Sequence, residues 1–342
     1  MEIKTVGLDI AKHVFQVHGV DARGNPVIKR RLRRAEVHRF FAELPACVVG
    51  IEACGTAHYW ARELSAMGHD VKLMPPQYVR PFVKRNKNDA ADAEAICEAV
   101  TRPTMRFVPI KSVEQQSVLM LHRARDLLVR QQTMIVNALR AHLAEFGIIV
   151  AQGIQNMPKV VAIIADDTDQ RLPSLARETL ASMAAHYADL KRQISSFEAR
   201  IVAWHRSNEM SRRLATIPGI GPIAATLLVS TIADPKHFAS ARQFAAWIGL
   251  VPRQYSSGGK ERLGPISKRG NPYLRRLLVI GAHSVLRWGR ARLATTSRWL
   301  QGLLARRPLN VVATALAHKM ARTAWALMTQ KEVYRAPTVA AA

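Results

Sequence analysis

Residues 3–32, IKTVGLDIAKHVFQVHGVDARGNPVIKRRL, decide the fold of the first third of the chain. IKTVGLDIA and HVFQVHGV are strand material. Arg23-Gly24-Asn25-Pro26 is a turn signal, and VIKRRL supplies the returning strand. The pattern predicts an antiparallel meander. Downstream, Cys47 to Ala53 is a short apolar run bounded by Pro45 and Gly55, as a buried strand would be. HYWARELSAMG then carries helix periodicity to Gly68, and HDVKLMP is strand again before Pro75 and Pro76. A hairpin followed by alternating strand and helix predicts an α/β sheet with helices on its faces. Asp89 to Val100, DAADAEAICEAV, predicts a further helix with acids in its first turn.

Asp9 breaks the apolar pattern of its strand. An ionised carboxylate between apolar neighbours is costly unless a cation or backbone donors compensate it. Glu52 ends another strand, in VGIEACG, and Asp89 and Asp92 are three apart and so share a helix face. Each has a plain alternative: a surface strand end for Asp9 and Glu52, and the helix macrodipole for Asp89 and Asp92. Together, two strand ends and one helix bring four acids toward a site for hard divalent cations. Mg²⁺ takes oxygen ligands and keeps waters for substrate phosphates. Two such ions stabilise the attacking and leaving oxygens of a phosphoryl transfer. Lys84, Arg85 and Lys87 stand just before the acid pair, as contacts for a nucleic-acid backbone or as a solvated loop.

Val251 to Gly270, VPRQYSSGGKERLGPISKRG, is the second chemical stretch. Ser256 and Ser257 lie among Arg253, Lys260, Arg262, Lys268 and Arg269. A hydroxyl on a turn among cations suits attack on a phosphate, although a solvated basic loop has the same composition.

Ser112 to Phe146 reads as one long helix, with Leu121, Ala124, Leu128, Ile135 and Leu139 along a stripe. Leu180, Met183, Tyr187, Leu190, Ile194, Phe197, Ile201 and Trp204 recur at spacings of three and four. That heptad seam predicts a coiled coil, within or between chains, with packing on its own domain as the alternative. Leu214 to Ala233 is uncharged, but Pro218, Gly219, Gly221 and Pro222 break it. What remains is too short to cross a bilayer and reads as a turn plus a buried helix. The turn, IPGIGP, fits glycine amides near a phosphate or plain helix packing. Arg275, Arg276, Arg287, Arg290, Arg292, Arg306 and Arg307 continue the charge, with Trp288 and Trp299 expected in the core. Lys29, Arg30, Arg31, Arg33 and Arg34 form another basic cluster, either a backbone contact or a protected edge strand.

The 342 residues allow two to three domains, and 49% hydrophobic composition excludes global disorder. Fifty Lys plus Arg against 25 Asp plus Glu leave a formal charge of +25, for which a polyanion is the first partner and a membrane surface the second. Three cysteines with no C-x-x-C pair argue against a disulfide framework and a zinc site. With no secretory signal in MEIKTVGLDIAKHVF, a cytoplasmic location is expected.

Five stretches, GLDIAK, IEACGTAHYW, RNKNDAADA, IPGIGPIAATLL and FAAWIGLVPRQYSSGGKERLGPISKRGNPYLRRLL, carry a resemblance over nearly the whole chain. The sequence resembles the DEDD-type insertion-sequence transposases, the group that includes the Piv/MooV DNA invertases and the bridge-RNA-guided serine recombinases. The resemblance implies α/β plus all-α architecture. A RuvC-like (RNase H) domain would span residues 1–110, a helical coiled-coil assembly region 111–205, and a helical transposase domain 206–342. It implies Asp9, Glu52, Asp89 and Asp92 as ligands of Mg²⁺, or Mn²⁺ in its place. It also implies a serine nucleophile directly before glycine, which maps to Ser257 with Ser256 as its neighbour. Further implications are donor and target DNA as partners, a structured non-coding RNA that pairs with both, and a dimer or tetramer in the nucleoid. In that assembly the acids and the serine loop come from different protomers. Rival readings are a site-specific invertase, a junction nuclease in which water attacks, and a basic nucleic-acid-binding protein with a decayed site.

Overall fold

The computed structural model describes residues 2–84, 89–288 and 298–335. Two compact units divide the chain, Met1–Ser112 and Val113–Ala342. The first is mixed α/β and the second mostly helical.

In the first unit the predicted meander is present: β1 (Thr5–Ile10), β2 (Val14–Val20) and β3 (Pro26–Arg33) pair antiparallel. Then β4 (Val48–Glu52) and β5 (Asp70–Met74) add in parallel on the other side of β1, in the order β3-β2-β1-β4-β5. Parallel neighbours need crossovers, and two helices provide them. These are α1 (Val37–Ala42), which the pattern did not predict, and α2 (Ala57–Ala66). One sheet face carries the core: Val6, Leu8, Phe15, Val17, Val49 and Ile51 pack with Phe41, Trp60 and Leu64 of the crossovers. The other face receives α3 (Asp89–Val100), the predicted acid-headed helix.

The basic cluster at residues 29–34 lies along the sheet's edge strand and its exit. Lys29, Arg30, Arg31 and Arg33 are exposed while Leu32 between them is buried. Charged side chains on an outer strand oppose edge-to-edge pairing. Two of these arginines also cover aromatic rings, Arg30 over Phe40 at 5.6 Å and Arg34 over Trp60 at 5.2 Å.

In the second unit, α4 (Val113–Glu145) and α6 (Ser174–Ser207) are long antiparallel partners, with α5 (Met157–Ala165) near their connecting end. The direction follows from three contacts: Glu114 with Trp204, Arg125 with Glu198, and Leu139 and Leu143 in one cluster with Leu180 and Tyr187. Leu180, Tyr187, Leu190, Ile194 and Ile201 of the predicted seam are buried, and Met183, Phe197 and Trp204 half-buried. Helices of the same chain therefore take up this seam. The stripe predicted for α4 is displaced. Val118, Leu119, His122, Val136, Leu139 and Leu143 are buried, whereas Leu121, Ala124, Leu128 and Ile135 are half-buried. A polar residue on the buried line hid it: His122 is fully buried because Thr226 Oγ1 lies 2.9 Å from its Nε2.

The remaining helices are α7 (Glu209–Leu214), α8 (Pro222–Thr231), α9 (Ala241–Ile248), α10 (Pro272–Trp288), α11 (Arg298–Arg306) and α12 (Leu309–Gln330). They enclose one core that includes Leu228, Phe244, Leu278, Ala317 and Met320. The uncharged run is the expected turn plus buried helix, and among the described residues no helix is long and apolar enough to cross a membrane. Trp299 departs from expectation. It is 42% exposed, with the Lys319 ammonium 4.8 Å from its ring centroid, so its indole covers a cation rather than the core. The side chain of Trp288, and Arg290 and Arg292, lie outside the described residues.

Candidate active site

Asp9 and Glu52 are brought side by side by the sheet. In the parallel pair of β1 and β4, Gly7 stands opposite Gly50 and Leu8 opposite Ile51. Asp9 and Glu52 are the next residues along each strand, and alternation puts them on the face of Gly7 and Gly50. That face lies under α3. A Cβ on Gly7 would meet the Ala93 carbonyl oxygen at 2.2 Å, and one on Gly50 would meet Val100 Cβ at 2.8 Å. The two glycines let the helix lie directly on the strands, and its first turn, with Asp89 and Asp92, comes within electrostatic reach of Asp9 on β1.

The electrostatics register this arrangement. The carboxyl of Asp9 is raised from 3.8 to about 6, first by burial and then by the charges of Asp92, Asp89 and Glu52. A backbone hydrogen bond at Ile10 lowers it, one of the compensating donors that the sequence calls for. Among the described residues, no group of three or more His, Cys, Asp or Glu side chains is placed to hold a metal ion. The acids are therefore electrostatic neighbours that do not share a coordination sphere here. Cys54, two residues after Glu52, belongs to the same electrostatic neighbourhood: the residue is exposed overall, but partial burial of its thiol and then the charges of Glu52 and Asp9 raise its pKa.

Of the cations before the acid pair, Lys84 ion-pairs with Glu94 at 3.2 Å and Glu98 at 3.6 Å on α3, which ties the preceding loop to the helix. Arg85 and Lys87 lie outside the described residues.

Ser256 and Ser257 sit on a β-hairpin, where a basic turn was expected. Strand β6 (Pro252–Gln254) pairs antiparallel with β7 (Leu263–Ile266), Tyr255 N–H donates to Arg262 O at 2.8 Å, and Ser257 bridges Lys260. Gly258 and Gly259 make the two-residue reversal with φ of 56° and 77°. Positive φ at both central positions suits the right-handed twist of a hairpin, and glycine adopts it without steric cost. Ser256, Ser257, Arg253, Lys260, Arg262, Lys268 and Arg269 are all exposed. The arrangement can present a hydroxyl to a phosphate within a cationic field.

The IPGIGP turn is used at least in part for packing. A Cβ on Gly219 would meet Gly281 O on α10 at 2.8 Å, and Ile217 and Ile220 are buried; Gly221 has open space. Of the C-terminal arginines, Arg275 donates to Ile248 O and Arg269 O, and Arg276 pairs with Asp126. Arg287, Arg306 and Arg307 are exposed.

Comparison with known proteins supplies the class. A family model described as a transposase, of the DEDD IS110 type, matches residues 6–148, the stretch that contains all four acids. The chain is 49% identical over 336 residues to a Pseudomonas aeruginosa protein named "Probable family 20 transposase", covering 98% of this chain and 99% of that protein. It is 42% identical over 332 residues to the transposase for insertion sequence element IS1328 of Yersinia enterocolitica, covering 97% and 98%. It is 40% identical over 334 residues to the transposase for insertion sequence element IS1111A of Coxiella burnetii, covering 98% and 92%. This family model and these relatives define a transposase, an enzyme that cleaves and recombines DNA. A second model, described as Transposase IS116/IS110/IS902 family, matches residues 211–297 with the serine hairpin inside it. The chain belongs to that family.

Proposed function

We propose that this transposase cuts DNA with Ser257 as nucleophile, assisted by divalent cations at Asp9, Glu52, Asp89 and Asp92. The placement of Asp9 and Glu52 on neighbouring strand ends of the face that α3 covers carries the reading, and burial first, then Asp92, Asp89 and Glu52, raise the Asp9 carboxyl to about 6. Four carboxylates are a donor set that fits hard, oxygen-seeking ions. The sheet order, with one antiparallel meander and two parallel additions, is consistent with a RuvC-like (RNase H) domain, in which such acids would serve phosphoryl transfer. A bound Mg²⁺ or Mn²⁺ would neutralise charge on the scissile phosphate and polarise it.

Ser257 Oγ forms a bond to phosphorus as the bond from phosphorus to the 3′ oxygen breaks, and the serine proton ends on that oxygen. The products are a phosphoserine ester and a free 3′-OH, so phosphate ester bonds are conserved and no nucleotide cofactor is consumed. After strand exchange, a 3′-OH attacks the phosphoserine and restores Ser257. Arg253, Lys260, Arg262, Lys268 and Arg269 hold the backbone beside the serine, with Lys84, Arg85 and Lys87 near the acids.

Three functional segments complete the reading: residues 1–110 for the acids, 111–205 for assembly into a dimer or tetramer through the faces that its intrachain coiled coil leaves exposed, Met120, Leu127 and Met134 among them, and 206–342 for the serine. Acids and serine meet in the assembled enzyme. A structured RNA pairs with donor and target DNA and supplies sequence specificity, while the +25 charge holds both polyanions near the nucleoid. The test incubates the protein and Mg²⁺ with labelled DNA carrying the element's own ends. A denaturant-resistant protein–DNA adduct is expected, lost in Ser257→Ala and retained in Ser256→Ala. Cleavage that persists in Ser257→Ala without an adduct would assign the attack to water, the reading that the DEDD match over residues 6–148 also supports.

A further inference from the structure

Beside the serine hairpin lies an open groove of about 670 Å³, between α9, strand β6 with Tyr255, and the segment of Ser267 and Arg269 that follows β7. Its walls include Ala246 and Pro252, which are apolar, Gln254 and Tyr255, and the cations Arg253 and Arg269. Small-molecule sites run from roughly 300 to 1,000 Å³ and combine apolar walls with a few placed polar groups. The size falls in that range, and the lining is more polar than such sites usually are, as suits a charged ligand.

Three features pre-form it. The Tyr255 ring, 57% exposed, lies over the backbone of Gly264 on the opposite strand: a Cβ there would come within 2.9 Å of Tyr255 Cε2. One face of the phenol is thus supported while much of the ring stays accessible. Lys268 holds φ at 55°, a left-handed conformation uncommon outside glycine, and its N–H donates to Gly249 O at 3.2 Å. Strain of this kind persists only where the surroundings enforce it, and it gathers at ligand clamps. The next residue, Arg269, is fixed through its backbone carbonyl, which accepts from the Arg275 guanidinium at 2.7 Å. An aromatic platform, an amide that both donates and accepts, and two cations are what a single nucleotide needs: stacking, edge recognition and charge neutralisation.

We propose that the groove takes one unstacked nucleobase of the DNA strand being cut, laid on Tyr255 with its edge read by Gln254 and its flanking phosphates held by Arg253 and Arg269. This rests on the reading of Ser257 as nucleophile. Two residues of extended chain span at most about 7 Å. A base on Tyr255 therefore belongs to a nucleotide flanking the phosphate that meets Ser257. Bases that enzymes must work around are withdrawn from the stack at a cost that a waiting pocket offsets. The groove makes Gln254 a specificity-determining residue and Tyr255 a positioning residue for the cleavage step.

The test uses the full-length protein without divalent cations, so that no strand is cut, and a thymidine tract carrying one 2-aminopurine. Binding quenches the 2-aminopurine by stacking in the wild type and in Tyr255→Phe. Tyr255→Ala abolishes the quench and weakens binding about ten-fold, the scale of one base stacked on an aromatic ring. Across short strands of the four bases the wild type discriminates, and Gln254→Ala flattens that preference. Arg253→Ala and Arg269→Ala weaken all four alike. Wild-type affinity and quenching in Tyr255→Ala would overturn the proposal, and so would tighter binding of the ribonucleotide version of the probe. The adduct assay at Ser257 is independent. Stacking on Tyr255 without an adduct would fault the nucleophile and leave the groove standing, and an adduct without stacking would do the reverse.

Discussion

Gly7 on β1 and Ala93 on α3 approach so closely that a methyl group on the glycine would lie 2.2 Å from the alanine carbonyl oxygen. This contact sets the height of α3 above the sheet and, with it, the reach of Asp89 and Asp92 toward Asp9. Gly7→Ala presses on backbone rather than on a flexible side-chain end, and overpacking of a close contact costs about 1–3 kcal/mol. The variant is expected to lower the urea midpoint followed by circular dichroism and to lose DNA cleavage more completely than stability. Wild-type cleavage by Gly7→Ala would show that the height of α3 does not govern the acids.

Asp9 is held near 6 by burial and by three neighbouring acids, so ionised Asp9 opposes folding of the ion-free protein at neutral pH. The unfolded carboxyl titrates at 3.8, and the opposition grows as pH rises from there through about 6. Asp9→Asn removes the charge. It is expected to raise the melting temperature at pH 7 without divalent ions, while abolishing cleavage. Mg²⁺ or Mn²⁺ is expected to raise the melting temperature of the wild type, since a ligand that binds only the folded state stabilises it. The Asn variant is expected to respond less. Equal responses in the two proteins would place the ions elsewhere.

The meander, the strand ending at Glu52 and the helix beginning at Asp89 were legible because each has a clean period and clear punctuation. The positions of the four acids were legible for the same reason. Their convergence was expected too, but the device behind it, Gly7 and Gly50 standing side by side under α3, was not legible, because strand register is a property of pairing rather than of composition. The hairpin at Ser257 escaped because every residue from Pro252 to Leu263 is exposed, so no apolar alternation marks its strands. Gly258-Gly259 was its one local sign. On α4 the apolar stripe misled because the buried line runs through His122, and only the distant Thr226 makes a histidine tolerable there.

His122 gives the second unit a pH dependence of its own. Burial first, and the Arg125 charge second, lower its pKa from 6.5 to about 4. Its Nε2 meets Thr226 Oγ1, while Nδ1 is buried without a partner in the structure. The unfolded chain takes up a proton below 6.5 and the folded chain does not until about 4, so stability is complete above 6.5 and lost as pH falls between these values. The full loss is on the order of 3 kcal/mol, from somewhat over two pKa units at about 1.4 kcal/mol each. His122→Gln keeps a donor for Thr226 and removes the titration. Unfolding midpoints at pH 7 and pH 4.5 are expected to differ less in the variant than in the wild type.

Gly258 and Gly259 separate the shape of the serine hairpin from the stability of the protein. With φ of 56° and 77°, both positions disfavour residues that carry a Cβ, by about 1–2 kcal/mol each and most for branched ones. The hairpin around them contributes no buried side chain from Pro252 to Leu263, so reshaping it leaves the core untouched. Gly259→Val is therefore expected to leave the melting temperature within a degree or so of the wild type and to slow adduct formation at Ser257 about ten-fold, since about 1.4 kcal/mol is a factor of ten in the population of the competent turn. Gly258→Asn is expected to retain most of the rate, because asparagine tolerates the left-handed region and Asn-Gly is a favoured two-residue reversal. If both substitutions slowed adduct formation equally, the loss would come from crowding at the phosphate, and the turn geometry would not be what positions the serine.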